Sequence, residues 1–356
     1  MTLFRDLPTE RWWSMERYAD ELTRALRAIG CDTRAYVAAR PLPQLPGALN
    51  TFANYAWRST IYPLAARAHQ GDVNHILDHS YAHLIHALDP ARTVVTCHDL
   101  APLALNEGRG FARRLWDHSF RAMLRAVRII TDSEFTRDEI LRHSNYPAEQ
   151  ITVAPLAVGA EFFEPVALAD LQALRARHRL SDRRIILHVG SCAPRKNIAA
   201  LLVALARLRE LEWAFVQVGG QFDAAQDELI DQFDLRDRVR QIPRAPENQL
   251  RAWYHTAAVF VLPSTYEGFG LPILEAMAAG APVVCADASA LPEVAHDTAI
   301  LIDPRDPAKL ADALRSILTD ARLADDLRAR GIARAQSFTW ERTARATLAV
   351  YQEIKR

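Results

Sequence analysis

The chain has 356 residues, 50% of them hydrophobic, which exceeds what one core normally holds, so a globular protein of two domains is expected. Its 43 basic and 43 acidic residues cancel, which argues against a nucleic-acid binder and requires any anionic ligand to meet local positive charge. Cys31, Cys97, Cys192 and Cys285 show no Cys-x-x-Cys spacing and no apolar run reaches a bilayer-spanning length, so a zinc site, a disulfide framework and a transmembrane helix are all unexpected.

Met1 to Pro8 lacks the basic-then-apolar order of a secretory leader, so the cytoplasm is the expected location. Trp12 and Trp13 stand before a helical pattern from Met15 to Ile29, where they read either as a hydrophobic staple or as an indole face for an acceptor sugar. A strand end at His75 to Leu77 leads into a histidine-rich run. There His79, His83 and His86 could share a helix face, but no Cys or Glu closes a ligand set, so no metal is expected. His79 or Ser80 is instead expected to line the acceptor side of a cleft. Thr93 to Thr96, Ile129 to Thr131 and Ile151 to Val153 read as strands, with a helix over Phe111 to Val127 between the first two. Arg109, Arg113, Arg114, Arg121, Arg125 and Arg128 lie on or beside that helix. They form either a solvated face or a contact for an anionic membrane at the inner membrane face.

After the charged stretch Leu174 to Arg184, the alternation begins again with strands at Ile185 to Val189, Ala214 to Val218, Val259 to Leu262 and Pro282 to Val284. Helical patterns run from Asn197 to Leu208 and from Pro307 to Leu318. Continuous apolar strands need both sheet faces covered, which predicts two doubly wound parallel α/β domains facing a central cleft. The expected divisions are 1–165 on the acceptor side, 166–337 on the donor side, and a terminal helix over 338–356 that crosses back to the first domain.

Two stretches of the second half carry chemistry. Gly190-Ser-Cys-Ala-Pro-Arg-Lys-Asn197 takes the chain from a strand to a helix start and delivers Arg195 and Lys196 where the macrodipole is already positive. That placement is favourable beside a phosphate; a solvated basic loop is the bland alternative. In Ser264-Thr-Tyr-Glu-Gly-Phe-Gly-Leu-Pro-Ile-Leu-Glu-Ala-Met-Ala-Ala-Gly280, the amides of Phe269, Gly270 and Leu271 form a second anion-binding concavity at a helix start. Glu275 is expected in the first turn of that helix, where it reads as a helical acid or as the acceptor of a sugar diol's hydroxyls.

The spacing Glu267-(seven residues)-Glu275 in this setting closely resembles the signature of the GT-B retaining glycosyltransferases of family four. Gly190 to Asn197 resembles that family's diphosphate loop. Ser289 to Val294, Phe338 to Thr343, Thr96 to Leu100, Thr131 to Thr136 and Ile151 to Pro155 are similar to further landmarks. The resemblance implies a retaining, metal-independent hexosyl transfer from a nucleoside diphosphate sugar to a glycan, lipid-linked or small-molecule acceptor, with no cofactor. It implies that Gly190, Ser191, Arg195, Lys196 and the amides of Phe269 to Leu271 meet the donor phosphates and that Glu275 holds the ribose. Glu267 and His98 are expected to face the transferred sugar, and Asp99 the acceptor side. Two stretches depart from the family pattern. Trp12 and Trp13 replace a glycine-rich turn, and Gln241 to Pro246 lacks a glycine common near the nucleobase, so neither the base nor that loop's approach to the donor is legible. A sugar phosphorylase or disaccharide synthase, and a non-catalytic nucleotide-sugar-binding protein, remain the alternatives.

Overall fold

The computed structural model describes residues 1–8, 13–38, 47–106 and 110–355. Its chain divides into two compact units, Met1–Leu156 with Trp340–Arg356, and Ala157–Thr339. The first changeover precedes the one expected after residue 165, because residues 157–165 are held by the second unit. The Val158 amide donates to the Phe338 carbonyl, Phe162 packs edge-on against Tyr254, and Glu164 pairs with Arg251.

The first unit is built on strands β1 (Thr2–Phe4), β2 (Arg34–Tyr36), β3 (Asn74–Ile76), β4 (Thr93–Cys97), β5 (Arg128–Thr131) and β6 (Ile151–Val153). They form one parallel sheet in the order β2-β1-β3-β4-β5-β6. The central strands are fully buried, with Phe4, Ile76, Val95 and Ile129 packed into one core, as a sheet covered on both faces requires. The terminal helix Trp340–Ile354 belongs to this unit. Its Tyr351 hydroxyl is 2.6 Å from His75 Nδ1, and Thr343 donates to the Pro155 carbonyl.

The second unit carries β7 (Arg184–Val189), β8 (Trp213–Val218), β9 (Val239–Ile242), β10 (Ala257–Leu262), β11 (Val283–Ala286) and β12 (Ile300–Ile302), again all parallel, in the order β12-β11-β10-β7-β8-β9. From β7 the chain winds outward through β8 and β9, then returns to β10 and winds the other way. The carboxyl ends of β7 and β10 therefore flank a topological switch point, where helices on opposite faces leave a crevice. In the first unit the corresponding point lies between β1 and β3.

The helix expected over Phe111 to Val127 ends at Met123, and Arg128 is the first residue of β5. Of the arginines beside it, Arg113 is paired with Asp117, Arg125 with His86 and Arg128 with Glu353, while Arg109 lies outside the described residues. Among the described residues, no helix is long and apolar enough to cross a membrane.

Candidate active site

At the switch point of the second unit, β7 is followed directly by Gly190 with φ 146°, a backbone conformation that favours glycine. The following loop closes in a short turn over Pro194–Lys196, and Asn197 takes a left-handed conformation with φ 58°. Its side-chain amide fixes the loop by donating to the Pro263 and Pro304 carbonyls at 3.2 and 2.7 Å. The loop after β10 straps onto this turn, since the Thr265 amide donates to the Arg195 carbonyl at 2.8 Å.

These two loops bring Arg195, Lys196 and Glu267 together. Lys196 Nζ lies 2.5 Å from Glu267 Oε1, and an Arg195 guanidinium nitrogen lies 3.2 Å from Oε2 and 3.2 Å from the Tyr266 carbonyl. Lys196 and Glu267 are both buried, and the Glu267 backbone is held in place by its amide, which donates to Ser289 Oγ at 2.9 Å. Burial pushes the Glu267 carboxyl up, but Lys196 and Arg195 outweigh it and hold the group below the ordinary carboxylate range. Two cations against one carboxylate leave the cluster with one positive charge in excess.

Beside the cluster, Gly270 caps the helix Leu271–Ala278 with φ 102°. A Cβ there would come within 2.6 Å of Leu291, so only glycine lets the loop pass. The amides of Phe269, Gly270 and Leu271 have no hydrogen-bond acceptor among the described residues, although Phe269 and Gly270 are buried. Amides so placed at a helix start need an acceptor, and an anion is the acceptor the dipole favours. Glu275 is the fifth residue of this helix and so lies in its second turn, correcting the expected first-turn position, because the helix already begins at Leu271, directly after its Gly270 cap and one residue before Pro272. Its buried carboxylate accepts from the Tyr254 hydroxyl at 2.7 Å. The helix ends as expected, with Gly280 at φ 75° and the Ala281 amide bonded to the Ala276 carbonyl. Ser191 is exposed in the first loop.

In the first unit, His98 follows β4 directly. Its Nδ1 is 2.7 Å from Asp132 Oδ2 and its Nε2 is 2.9 Å from the Leu77 carbonyl. Both ring nitrogens thus face acceptors, so both carry protons and the ring is an imidazolium. Burial alone would lower its pKa, but Asp132 and the nearby Asp78 raise it to about 10. The Tyr18 ring packs edge-on against it at 4.7 Å. His79 is buried, 3.5 Å from Asp78 and edge-on to Trp116, while the Ser80 amide donates to Asp78. Asp99 accepts from the Ala101 amide at 3.0 Å and so starts a short helix. Trp13 begins the helix Trp13–Ala28, its side chain and Trp12 lying outside the described residues. His83 Nε2 bonds the Arg58 carbonyl and His86 meets Arg125, and among the described residues no group of three or more His, Cys, Asp or Glu is arranged to hold a metal.

Residues 171–334 match the family described as glycosyl transferases group 1, and residues 15–162 match glycosyltransferase family 4. O-antigen chain mannosyltransferase B of Escherichia coli is 33% identical over 277 residues, which is 76% of this chain and 72% of that relative. The chain belongs to the glycosyltransferases of family four. The fold of this glycosyltransferase is GT-B. Sucrose-phosphate synthase from Thermosynechococcus elongatus superposes with a TM-score of 0.79 at 23% identity, covering 99% of this chain and 98% of that one. The Anabaena protein HepE, solved with UDP and glucose, gives a TM-score of 0.79 at 17% identity, covering 99% of each chain.

Three residues beside the candidate site residues of the two units escaped the sequence reading. Asp132, the partner of His98, was detectable in principle, because consecutive strands usually pair and both residues lie within two positions of the ends of predicted strands. Tyr254, which holds Glu275, sits in a helix with no motif. His188 lies one residue before the end of β7, fully buried, and neither ring nitrogen has a partner among the described residues. Burial, then Lys196, lowers it to about 3, so it stays a neutral ring beneath the cationic pair.

Proposed function

We propose that this glycosyltransferase moves a hexosyl unit from a nucleoside diphosphate sugar to a hydroxyl of a glycan or related acceptor, with retention and without a metal. The observation that carries the reading is the Arg195–Glu267–Lys196 cluster beside three amides that lack acceptors, all at one switch point. Arg195, Lys196 and the amides of Phe269 to Leu271 are positive groups already in place for the charge that develops on a departing diphosphate. Such preorganised electrostatic stabilisation is usually the main source of an enzyme's rate enhancement. They take the role a divalent cation would otherwise fill. Glu275 accepts the ribose hydroxyls, with Tyr254 fixing its carboxylate. Glu267, kept ionised by its two partners, is a weak base and acts by its charge on the sugar being moved. Retention places the attacking hydroxyl on the leaving-group face, where the departing phosphate oxygen takes its proton.

The name of the Escherichia coli relative makes a mannosyl unit the first donor to test. Purified protein is incubated with GDP-mannose, UDP-glucose and UDP-N-acetylglucosamine, with an acceptor panel and with or without inorganic phosphate, and diphosphate release is followed. Release that requires an acceptor hydroxyl, survives EDTA and yields the α-anomer supports the proposal. Release dependent on inorganic phosphate shows a phosphorylase instead, and nucleotide-sugar binding with no release under any condition shows a binding protein.

A further inference from the structure

A cavity of about 480 Å³ opens in the first unit beside Ser80, four residues beyond the end of β3 at that unit's switch point. Its size suits a small ligand. Among the described residues no Asp or Glu lines it, whereas Arg58, His83, His86 and His118 all do. Arg58 is a fixed positive charge, since its guanidinium donates to the Ser80 carbonyl and lies 3.9 Å over the Tyr81 ring. Arg125 donates to His86 Nδ1 at 2.6 Å, which puts the His86 proton on Nε2 and leaves that N–H without a protein partner among the described residues. The His118 ring lies 5.1 Å from His86. The buried Ser80 Oγ has no hydrogen-bond partner among the described residues. Burial, then Arg125 and His118, hold His86 below its ordinary range and so favour its neutral ring.

We propose that this cavity binds the phosphoryl group of a phosphorylated ligand, with His86, His118 and Arg58 as its donors and the ligand's body beside the Trp116 ring. The ligand is the acceptor of the transfer, an assignment that rests on the proposed function. Its phosphoryl group comes from a sugar phosphate or from a lipid headgroup. A phosphoryl oxygen supplies an acceptor for the His86 N–H, and its charge is complementary to the Arg58 guanidinium.

The test is calorimetric titration of the whole protein with glucose 6-phosphate, inorganic phosphate and glucose, and sedimentation with vesicles of phosphatidylcholine with and without phosphatidic acid. His86→Gln/His118→Gln is the variant, both residues being exposed and tolerant of exchange. Lys196→Ala is the control for binding at the second unit. The expected result is binding of a phosphorylated probe that glucose does not match, weakened about tenfold or more by the histidine exchange and unchanged by Lys196→Ala. Capture of glucose 6-phosphate assigns a sugar phosphate, and histidine-dependent capture of phosphatidic acid vesicles alone assigns a lipid headgroup. Equal binding by the parent and the histidine variant, or equal binding of glucose and glucose 6-phosphate, overturns the proposal. If phosphorylated probes bind through the histidines while no nucleotide sugar binds or reacts, the transferase reading fails and the cavity assignment stands.

Discussion

Glu267→Gln keeps the shape of the side chain and removes its charge. Lys196 is 8% exposed with its Nζ 2.5 Å from Glu267 Oε1, so the exchange leaves a buried ammonium without its counter-ion. Removing one partner of a buried pair costs about 3–5 kcal/mol. The Arg195 side chain is 25% exposed and keeps part of its hydration, which places this site at the low end, about 3 kcal/mol. For a unit of this size that is about 6–12 °C in melting temperature. The stabilisation also has a pH sign. The folded carboxyl is held below its ordinary value of 4.5, so its contribution is complete above that value and is lost as pH falls through the lowered folded pKa; parent and variant converge in acid. A nucleoside diphosphate returns the missing negative charge. UDP or GDP therefore raises the melting temperature of the variant more than that of the parent and binds it about tenfold tighter, about 1.4 kcal/mol, while sugar transfer falls. Thermal melts with and without each nucleotide, together with titration calorimetry, read both effects. Equal melting temperatures near neutral pH, or weaker nucleotide binding by the variant, would refute the idea that Glu267 balances cations whose task is to meet a diphosphate.

Asp132→Asn removes the carboxylate that keeps His98 protonated. Because the folded His98 pKa is raised to about 10, its stabilisation is present below about 6.5 and is lost as pH rises through the folded value. Imidazole NMR should show a His98 ring that stays charged from pH 6 to 9 in the parent and is neutral at pH 8 in the variant; an unchanged ring would sink the assignment. Gly270→Ala must tolerate φ 102° and a Cβ within 2.6 Å of Leu291, so it should cost about 1–3 kcal/mol in a thermal melt and weaken nucleotide binding together with it. Tyr254→Phe deletes the 2.7 Å hydrogen bond to Glu275 between two buried groups and should lower stability by about 1–3 kcal/mol. Under the ribose reading it also weakens nucleoside diphosphate binding while leaving binding of inorganic pyrophosphate intact, and equal loss of both would count against that reading.

The strands read directly from the sequence are those buried on both faces, such as β4, β7, β8 and β10, whose apolar runs are unbroken. The strands β2 and β9 escaped because each stands at a sheet edge, where partial exposure breaks the run with residues such as Arg34, Arg240 and Gln241, and the three-residue strands β1 and β12 escaped as well. Sheet order itself has no local signature, and one ion pair in each unit depends on it. Lys196 and Glu267 are 71 positions apart and meet because β7, paired on one edge with the next strand β8, is paired on its other edge with the distant β10. His98 and Asp132 meet because the register of β4 and β5 aligns Thr96 with Ile130 and Cys97 with Thr131, so the next residue on each strand is carried to the same place. Each motif names a residue type suited to the chemistry, but the state of that residue is set by a partner on the neighbouring strand end. Glu267 reads alone as a carboxylate facing a sugar; with Lys196 and Arg195 against it, it is a fixed negative charge that tempers two cations, and those cations are what a diphosphate would meet.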